Sequence, residues 1–466
     1  MAASAMVATS QAPATLAGLE MLRMGGSAVD ATIAAAAVLC VAEPMSNGLG
    51  GDAFSLVWDG AQVHALDAGG AAPRHAPGGS PEDHGPRSCV VPAMVAGWGV
   101  LHDRFGRLGL DRCLRPAVDL ADGGVAAGYH CASAWARSAW APPELGRPPR
   151  VGEVFRLPGL ARTLRAVAEQ GPSALYEGPV AEAIAGATWL ELEDLAGATA
   201  RWVTPLSVAY RGVEVVELPP PTQGVAVLEG LGILERLGEP TPANKVRAVA
   251  LALEDARERV RDGALVDELV SPGYLAARST AVPRLRPEPA GGTVYLCALD
   301  ADGMAVSHIQ SLFRGFGSGV VAPGTGIVLN NRAACFAVGG VVEPGRRPYH
   351  TTIPGMLLAD GALRGPFGVM GGFLQAQAHV QLVSALVDDG LDPQAALDRA
   401  RFRIDPDAVC LEEGLWADQD AYRLPGTQVV LDPDREGFGG GQAIQVVEGR
   451  ILGGSDPRKD GFAAGL

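Results

Sequence analysis

The sequence predicts a packed α+β protein, and three observations carry that expectation. Hydrophobic residues make up 48% of the 466-residue chain and charged residues 19%, enough for a large core. Apolar stretches of helical period fill much of the first 260 residues. Short β-type runs joined by Asp-Gly turns recur at Phe54–Leu66 and Thr293–Ile309. Glycine (62) and proline (35) stay below the share that marks low-complexity chains. Length alone allows about three domain-equivalents.

The elements follow in order. Leu16, Leu19, Met21 and Leu22 trace a helix stopped by Gly25-Gly26. Ser27, ahead of Val29-Asp30-Ala31, opens a second, buried helix to about Cys40. After Gly48, Gly50 and Gly51 comes the hairpin Phe54–Trp58 and Val63–Leu66 around Asp59-Gly60. Ala93 to about Gln170 is mostly helical, with an interruption at Pro142-Pro143 and Pro148-Pro149 and an amphipathic helix over Leu160–Glu169. Val213–Leu218 is a strand and Val246–Val260 a helix. Ser271–Pro289, with Pro272, Pro283, Pro287 and Pro289 and no clear period, is expected to be an exposed linker. Gly291-Gly292 ends it, and a hairpin begins at once, Thr293–Leu299 and Met304–Ile309 around Asp300-Ala301-Asp302-Gly303.

Charge and cysteine usage exclude some functions. The formal net charge of −15 and a pI near 5.0 disfavour nucleic acid and anionic membranes as partners. Seven scattered cysteines without a C-x-x-C pair fit neither a disulfide framework nor a zinc site, and suggest a reducing compartment. The first 21 residues carry no Lys or Arg and do not read as a secretory signal. The Ala-rich run Ala31–Ala42 is too short to span a bilayer. The expectation is a soluble cytoplasmic protein without metal or cofactor, acting on a small molecule. The chain also lacks a Gly-x-Ser-x-Gly elbow, a His-Glu-x-x-His helix and a Walker loop.

The chemistry concentrates at Gly292-Thr293. A hydroxyl is a weak nucleophile until a base removes its proton, and a chain-terminal Thr carries its own base in the α-amine. That amine titrates at about 7.7–8.0, close to working pH. Such a Thr is freed by cutting the preceding peptide bond. Its own hydroxyl can do this through an ester, and Gly291 and Gly292 leave the carbonyl open to attack.

Motifs along nearly the whole chain resemble the γ-glutamyltranspeptidase family of N-terminal nucleophile hydrolases. They include Gly25-Gly26-Ser27-Ala28-Val29-Asp30-Ala31, Gly48-Leu49-Gly50-Gly51, Val91-Pro92-Ala93 and Leu218-Pro219-Pro220-Pro221. Gly292-Thr293-Val294-Tyr295, Gly315-Phe316-Gly317-Ser318-Gly319 and Leu329-Asn330-Asn331-Arg332 follow. Arg347-Pro348-Tyr349-His350-Thr351, Gly368-Val369-Met370-Gly371-Gly372 and Gly453-Gly454-Ser455-Asp456-Pro457-Arg458 complete the series. The resemblance implies a four-layer αββα sandwich, made as a precursor and cut into a large subunit, 1–292, and a small catalytic subunit, 293–466. By position it makes Thr293 the nucleophile, Ser311 its supporting hydroxyl, and Gly371 and Gly372 the oxyanion hole.

The substrate pocket departs from that family. Gly69 stands where true γ-glutamyl enzymes place the Arg that holds the glutamyl carboxylate. Ala334-Cys335 replace the paired acids, one of which holds its amine, Phe313 replaces an Asn, and His350-Thr351 replace two serines. This implies an acylase-like member that does not use glutathione and acts on an amide-type bond by hydrolysis or acyl transfer. Candidate substrate-binding residues are Phe313, Arg314, Arg332, Tyr349, His350 and Thr351, with Arg332 or Arg314 as the cation for a carboxylate or keto acid. His379 is expected to pack. Two alternatives share the sequence: a family enzyme of antibiotic-type biosynthesis that hydrolyses a carbon–carbon bond next to a carbonyl, and an uncut homologue that only binds.

Overall fold

The computed structural model describes residues 1–284, 291–406 and 408–466. Two sheets face each other. One runs in the order Phe462–Gly465, Met6–Thr9, Gly292–Leu299, Ala305–Phe313, Asp52–Trp58, Val63–Ala68, Arg201–Val203. The other runs Arg450–Ser455, Gly440–Val447, Ala362–Met370, Gly355–Ala359, Val213–Glu217, Leu206–Tyr210.

Strand alternation assigns the layers. On strand Gly292–Leu299, Val294, Leu296 and Ala298 point to a core shared with helices Ala12–Arg23, Ala28–Ala42 and Met94–Phe105. Tyr295, Cys297 and Leu299 point the other way, into a layer with Phe54, Met356, Met370 and Ile444 that joins the two sheets. Beyond the second sheet, Val215, Leu357 and Val369 pack on helices Gly224–Leu237, Pro242–Arg259 and Leu374–Val387. The result is the four-layer αββα sandwich. Each large sheet takes strands from both sides of the Gly292–Thr293 bond, so a cut there would leave the layers interleaved.

The helix Ala28–Ala42 is buried along its whole length. Ser27 and Asp30 form a reciprocal capping box at its start. Asp30 also accepts from the Arg107 and Leu108 N–H groups, and Asp300 accepts from Ala28 N at 2.9 Å. The other Asp300 oxygen closes the hairpin turn by accepting from Asp302 N and Met304 N. One aspartate therefore locks the Thr293 hairpin to the buried helix.

The expected linker needs correction. Pro272–Arg278 is a helix, with Ser271 capping Tyr274 N. Proline suits its first turn, where an N–H has no intrahelical partner. Leu275 is buried and Arg278 pairs with Glu254 and Asp255 at 2.7 Å, so this stretch is docked. Pro287 and Pro289 lie outside the described residues. All seven cysteines are buried free thiols. Among the described residues no helix is long and apolar enough to cross a membrane.

Asp30→Ala removes the capping box and strands two further, partly buried N–H groups. It is expected to destabilise the uncut chain by about 2–4 kcal/mol, measured by denaturant unfolding; a change below about 0.5 kcal/mol would show that these bonds do not set the helix.

Candidate active site

Thr293 is the second residue of its strand, 3% exposed, with the parity of Tyr295 and so facing between the sheets. The neighbouring strand Ala305–Phe313 pairs Gln310 with Val294 and Phe313 with Gly292. Ser311 and Leu312 thus stand opposite Thr293 alone, a bulge that re-aims the strand end. The groups it frees find partners outside the ladder: Leu312 N donates to Ser46 O at 3.2 Å, and Leu312 O accepts from Asn331 N at 3.1 Å. Phe313 takes φ 84°, a left-handed conformation costly for a bulky side chain.

The bulge brings two hydroxyls onto one carbonyl. Thr293 Oγ1 and Ser311 Oγ each lie 2.7 Å from Gly292 O, and 3.3 Å from each other. Phe313 N donates to Ser311 Oγ at 2.7 Å, which leaves the Ser311 hydrogen for the carbonyl. Gln375 Nε2 reaches Thr293 Oγ1 at 3.4 Å, while its Oε1 accepts from Ile353 N. Gly371 and Gly372, both at positive φ, make the turn from strand Ala362–Met370 into helix Leu374–Val387. A Cβ on Gly291 would stand 3.1 Å from both Gly372 Cα and Phe313 O, so the chain entering Thr293 lies against that turn.

The other predicted residues divide into two groups. Arg314 lies at the rim, ion-paired to Asp83 at 3.0 Å. Arg332 is wholly buried. Its Nε donates to Asp52 at 3.1 Å and its guanidinium lies 4.8 Å from the centre of the Phe313 ring. Asn330 positions it by accepting from Arg332 N, while its amide holds Gly50 O and Val90 O. Burial pushes the Asp52 carboxyl up to about 6, against the pull of Arg332. Its other oxygen accepts from Gly70 N.

Next to Gly70, Gly69 packs on His350: a Cβ there would lie 3.0 Å from Nε2, 2.9 Å from Phe54 and 3.1 Å from Asp67. A Cβ at position 69 is therefore in tight contact with three side chains. His350 is buried, and burial followed by the charge of Arg332 hold it well below its usual range, so the imidazole is neutral. Tyr349 donates to Gln223 Oε1 at 3.2 Å and stacks on Phe373. Gln223 Nε2 in turn ties Thr351 O to Gly372 O.

His379 has a defined structural bond. Val369 N donates to its Nε2 at 3.0 Å, so its Nδ1–H donates to Glu217 at 2.7 Å. This anchors the strand two residues before Gly371. The glycine-rich turn Gly315–Gly319 is a tight packing feature: a Cβ on Gly317 would lie 2.2 Å from Leu329 O.

Sequence reasoning did not single out Asp52, Gln223, Gln375 or Thr352 as site residues. Asp52 carries a readable signal, a charge at the head of an otherwise apolar strand directly after Gly50-Gly51.

The four-layer αββα sandwich is the architecture of N-terminal nucleophile hydrolases, and here it carries a Thr whose hydroxyl is turned on the preceding carbonyl. Comparison with known proteins gives the family. The γ-glutamyltranspeptidase model matches residues 14–466, and the chain belongs to that family of enzymes. It is 33% identical to the oxamate amidohydrolase proenzyme of Klebsiella pneumoniae, over 97% of this chain and 96% of that protein. It is 31% identical to the glutathione hydrolase-like YwrD proenzyme of Bacillus subtilis, over 99% and 98%. The cephalosporin acylase structure from Bacillus halodurans superposes with TM-score 0.93 at 37% identity, covering 100% of this chain and 96% of that one.

Gly69→Ala is expected to destabilise by about 1–3 kcal/mol, because the new methyl would press on Phe54, His350 and Asp67. A thermal midpoint equal to wild type would show that position 69 tolerates a side chain.

Proposed function

We propose that the chain cuts itself before Thr293 and then hydrolyses an amide-type bond of a small acyl compound other than glutathione. The observation that carries this reading is the convergence of Thr293 Oγ1 and Ser311 Oγ on Gly292 O. Ser311 polarises the carbonyl and Thr293 Oγ1 attacks its carbon. The Oγ–C bond forms, the Gly292–Thr293 C–N bond breaks, and the hydroxyl proton passes to the departing nitrogen. Water then cleaves the ester, leaving a carboxylate on Gly292 and a free α-amine on Thr293. The products are a large subunit, 1–292, and a small one, 293–466.

The same groups then serve turnover. The α-amine takes the Oγ1 proton as the hydroxyl attacks the substrate carbonyl. Negative charge gathers on the carbonyl oxygen beside the Gly371–Gly372 turn, whose N–H groups are suited to receive it. One such donor is worth about 2.7–4 kcal/mol in the transition state. The C–N bond breaks, the amine departs with the proton, and water attacks the acyl-threonine with the α-amine as base. Gln375 and Ser311 hold Oγ1 throughout.

The departures at the pocket support a substrate without the glutamyl head group. Position 69 carries no cation, and the Arg332–Asp52 pair lies beside Cys335. The oxamate amidohydrolase and cephalosporin acylase relatives support amide chemistry on non-glutamyl acyl groups.

Intact-mass analysis of purified protein is expected to show two chains divided at Gly292–Thr293, and a single 47.9 kDa chain for Thr293→Ala. Ser311→Ala is expected to slow the cut by about 10–100-fold. Processed enzyme is expected to leave γ-glutamyl-p-nitroanilide intact. A wild-type chain that stays whole on prolonged incubation overturns the mechanism.

A further inference from the structure

A cavity of about 320 Å³ opens between helices Pro242–Arg259 and Leu374–Val387, beside the Arg399–Phe402 segment and the turns that carry Leu415 and Tyr422. It shares the helix Leu374–Val387 with Gln375, but none of its lining residues is among those around Thr293. Its wall runs against the charge of the molecule. The chain carries 52 acidic side chains and 37 basic ones, yet the wall holds Lys245, Arg399 and Arg401 and no carboxylate. Most of the remainder is apolar, including Leu382, Phe402 and Leu415.

Two of the three cations are committed. Arg401 donates to Phe438 O at 3.0 Å and to Asp456 at 2.6 Å, and Arg399 pairs with Asp389. Lys245 is the exception: among the described residues its ammonium makes no hydrogen bond or ion pair. Asp389 and Asp388 act on it from outside the wall. Both are engaged elsewhere, Asp388 by Tyr210, Ser384 and Arg211. Burial holds Lys245 below the usual lysine range. It also stands in the first turn of an 18-residue helix that has no acid there, where the helix dipole disfavours a cation. Lysine is rare in this chain: only two of the 37 basic side chains are lysines, Lys245 and Lys459. Tyr422 adds a second free donor. Its hydroxyl makes no hydrogen bond among the described residues, and its ring lies 6.0 Å from that of Phe402.

We propose that this cavity is a second binding site, which takes a small organic carboxylate bearing a single ring. A partly desolvated charge without a partner is costly until an opposite charge meets it. The carboxylate is an acceptor-only group, and it accepts from Lys245 Nζ and Tyr422 Oη. The ring lies against Leu382, Phe402 and Leu415. The volume stands at the lower end of small-molecule sites, which run from roughly 300 to 1,000 Å³, and suits one ring rather than several. Inorganic phosphate leaves the apolar wall unused and brings more acceptors than two free donors satisfy. An amine meets three cations and no acid. The site does not depend on the role of Thr293.

The scarcity of lysine gives a site-resolved test. Reductive methylation of the purified full chain with isotope-labelled formaldehyde puts NMR-visible methyl groups on Lys245 and Lys459, besides the α-amino groups, and keeps their charge. Lys245→Gln assigns the signals. Phenylacetate is expected to shift the Lys245 signal saturably and to leave Lys459 in place, while neutral phenylacetamide shifts neither. In calorimetry of unmodified protein, Lys245→Gln is expected to weaken phenylacetate about 10–100-fold, and Tyr422→Phe about 2–10-fold. Both side chains are partly exposed, so neither change empties the core. A Lys245 signal that stays fixed at high phenylacetate, or phenylacetate heat that survives in Lys245→Gln, would overturn the proposal. An equal shift from inorganic phosphate would also overturn it, by making Lys245 a contact for any anion.

Discussion

Two hydroxyls, on neighbouring strands, meet at a single carbonyl oxygen, and the rest of the active centre is arranged around that meeting. It requires Ser311 to reach Gly292 O from the strand beside it, which a regular antiparallel ladder would not provide at that point. The bulge at Ser311-Leu312 supplies the reach, and Ser46 and Asn331 take up the backbone groups that it releases. A buried bulge without those two partners would leave an N–H and a carbonyl unmet in the core.

The scaffold around the bulge is correspondingly tight. A Cβ on Gly51 would fall 2.3 Å from Ser311 O, and one on Gly50 2.2 Å from Val328 O, so Gly51 backs Ser311 and Gly50 backs Val328. Asn330 spans Gly50, Val90 and Arg332 with one side chain. Asp300 ties the far end of the hairpin to the buried helix. The hydroxyls of Thr293 and Ser311 therefore ride on elements fixed at each end, which is what a site needing sub-ångström placement demands. The strain at Phe313 serves the same geometry, since its reversed backbone carries its N–H to Ser311 Oγ.

Much of this was legible in the residues. Period-two runs around Asp-Gly turns located both hairpins, because turn chemistry and alternation are local properties. The Gly-Gly-Thr step was legible as the start of a hairpin strand, which runs over Gly292–Leu299. The Ser271–Pro289 stretch misled: proline reads as a breaker, but at Pro272 it occupies the first turn of a helix, where its missing N–H is harmless. Gln375 and Gln223 were illegible because their roles come from long-range contact. Gln375 meets Thr293 across 82 residues of sequence and Gln223 meets Thr351 across 128. No local pattern encodes a pairing of that kind. Arg332 was legible as a cation, but its buried union with Asp52, 280 residues away, was not.

The most direct measurement traps the covalent intermediate. Processed enzyme is quenched in acid during turnover of an activated acyl ester, digested and mapped by mass spectrometry. The account predicts the acyl mass on the peptide that begins at Thr293, on its side-chain oxygen. An adduct on any other residue, or steady turnover with no adduct and an unmodified Thr293 peptide, would contradict it.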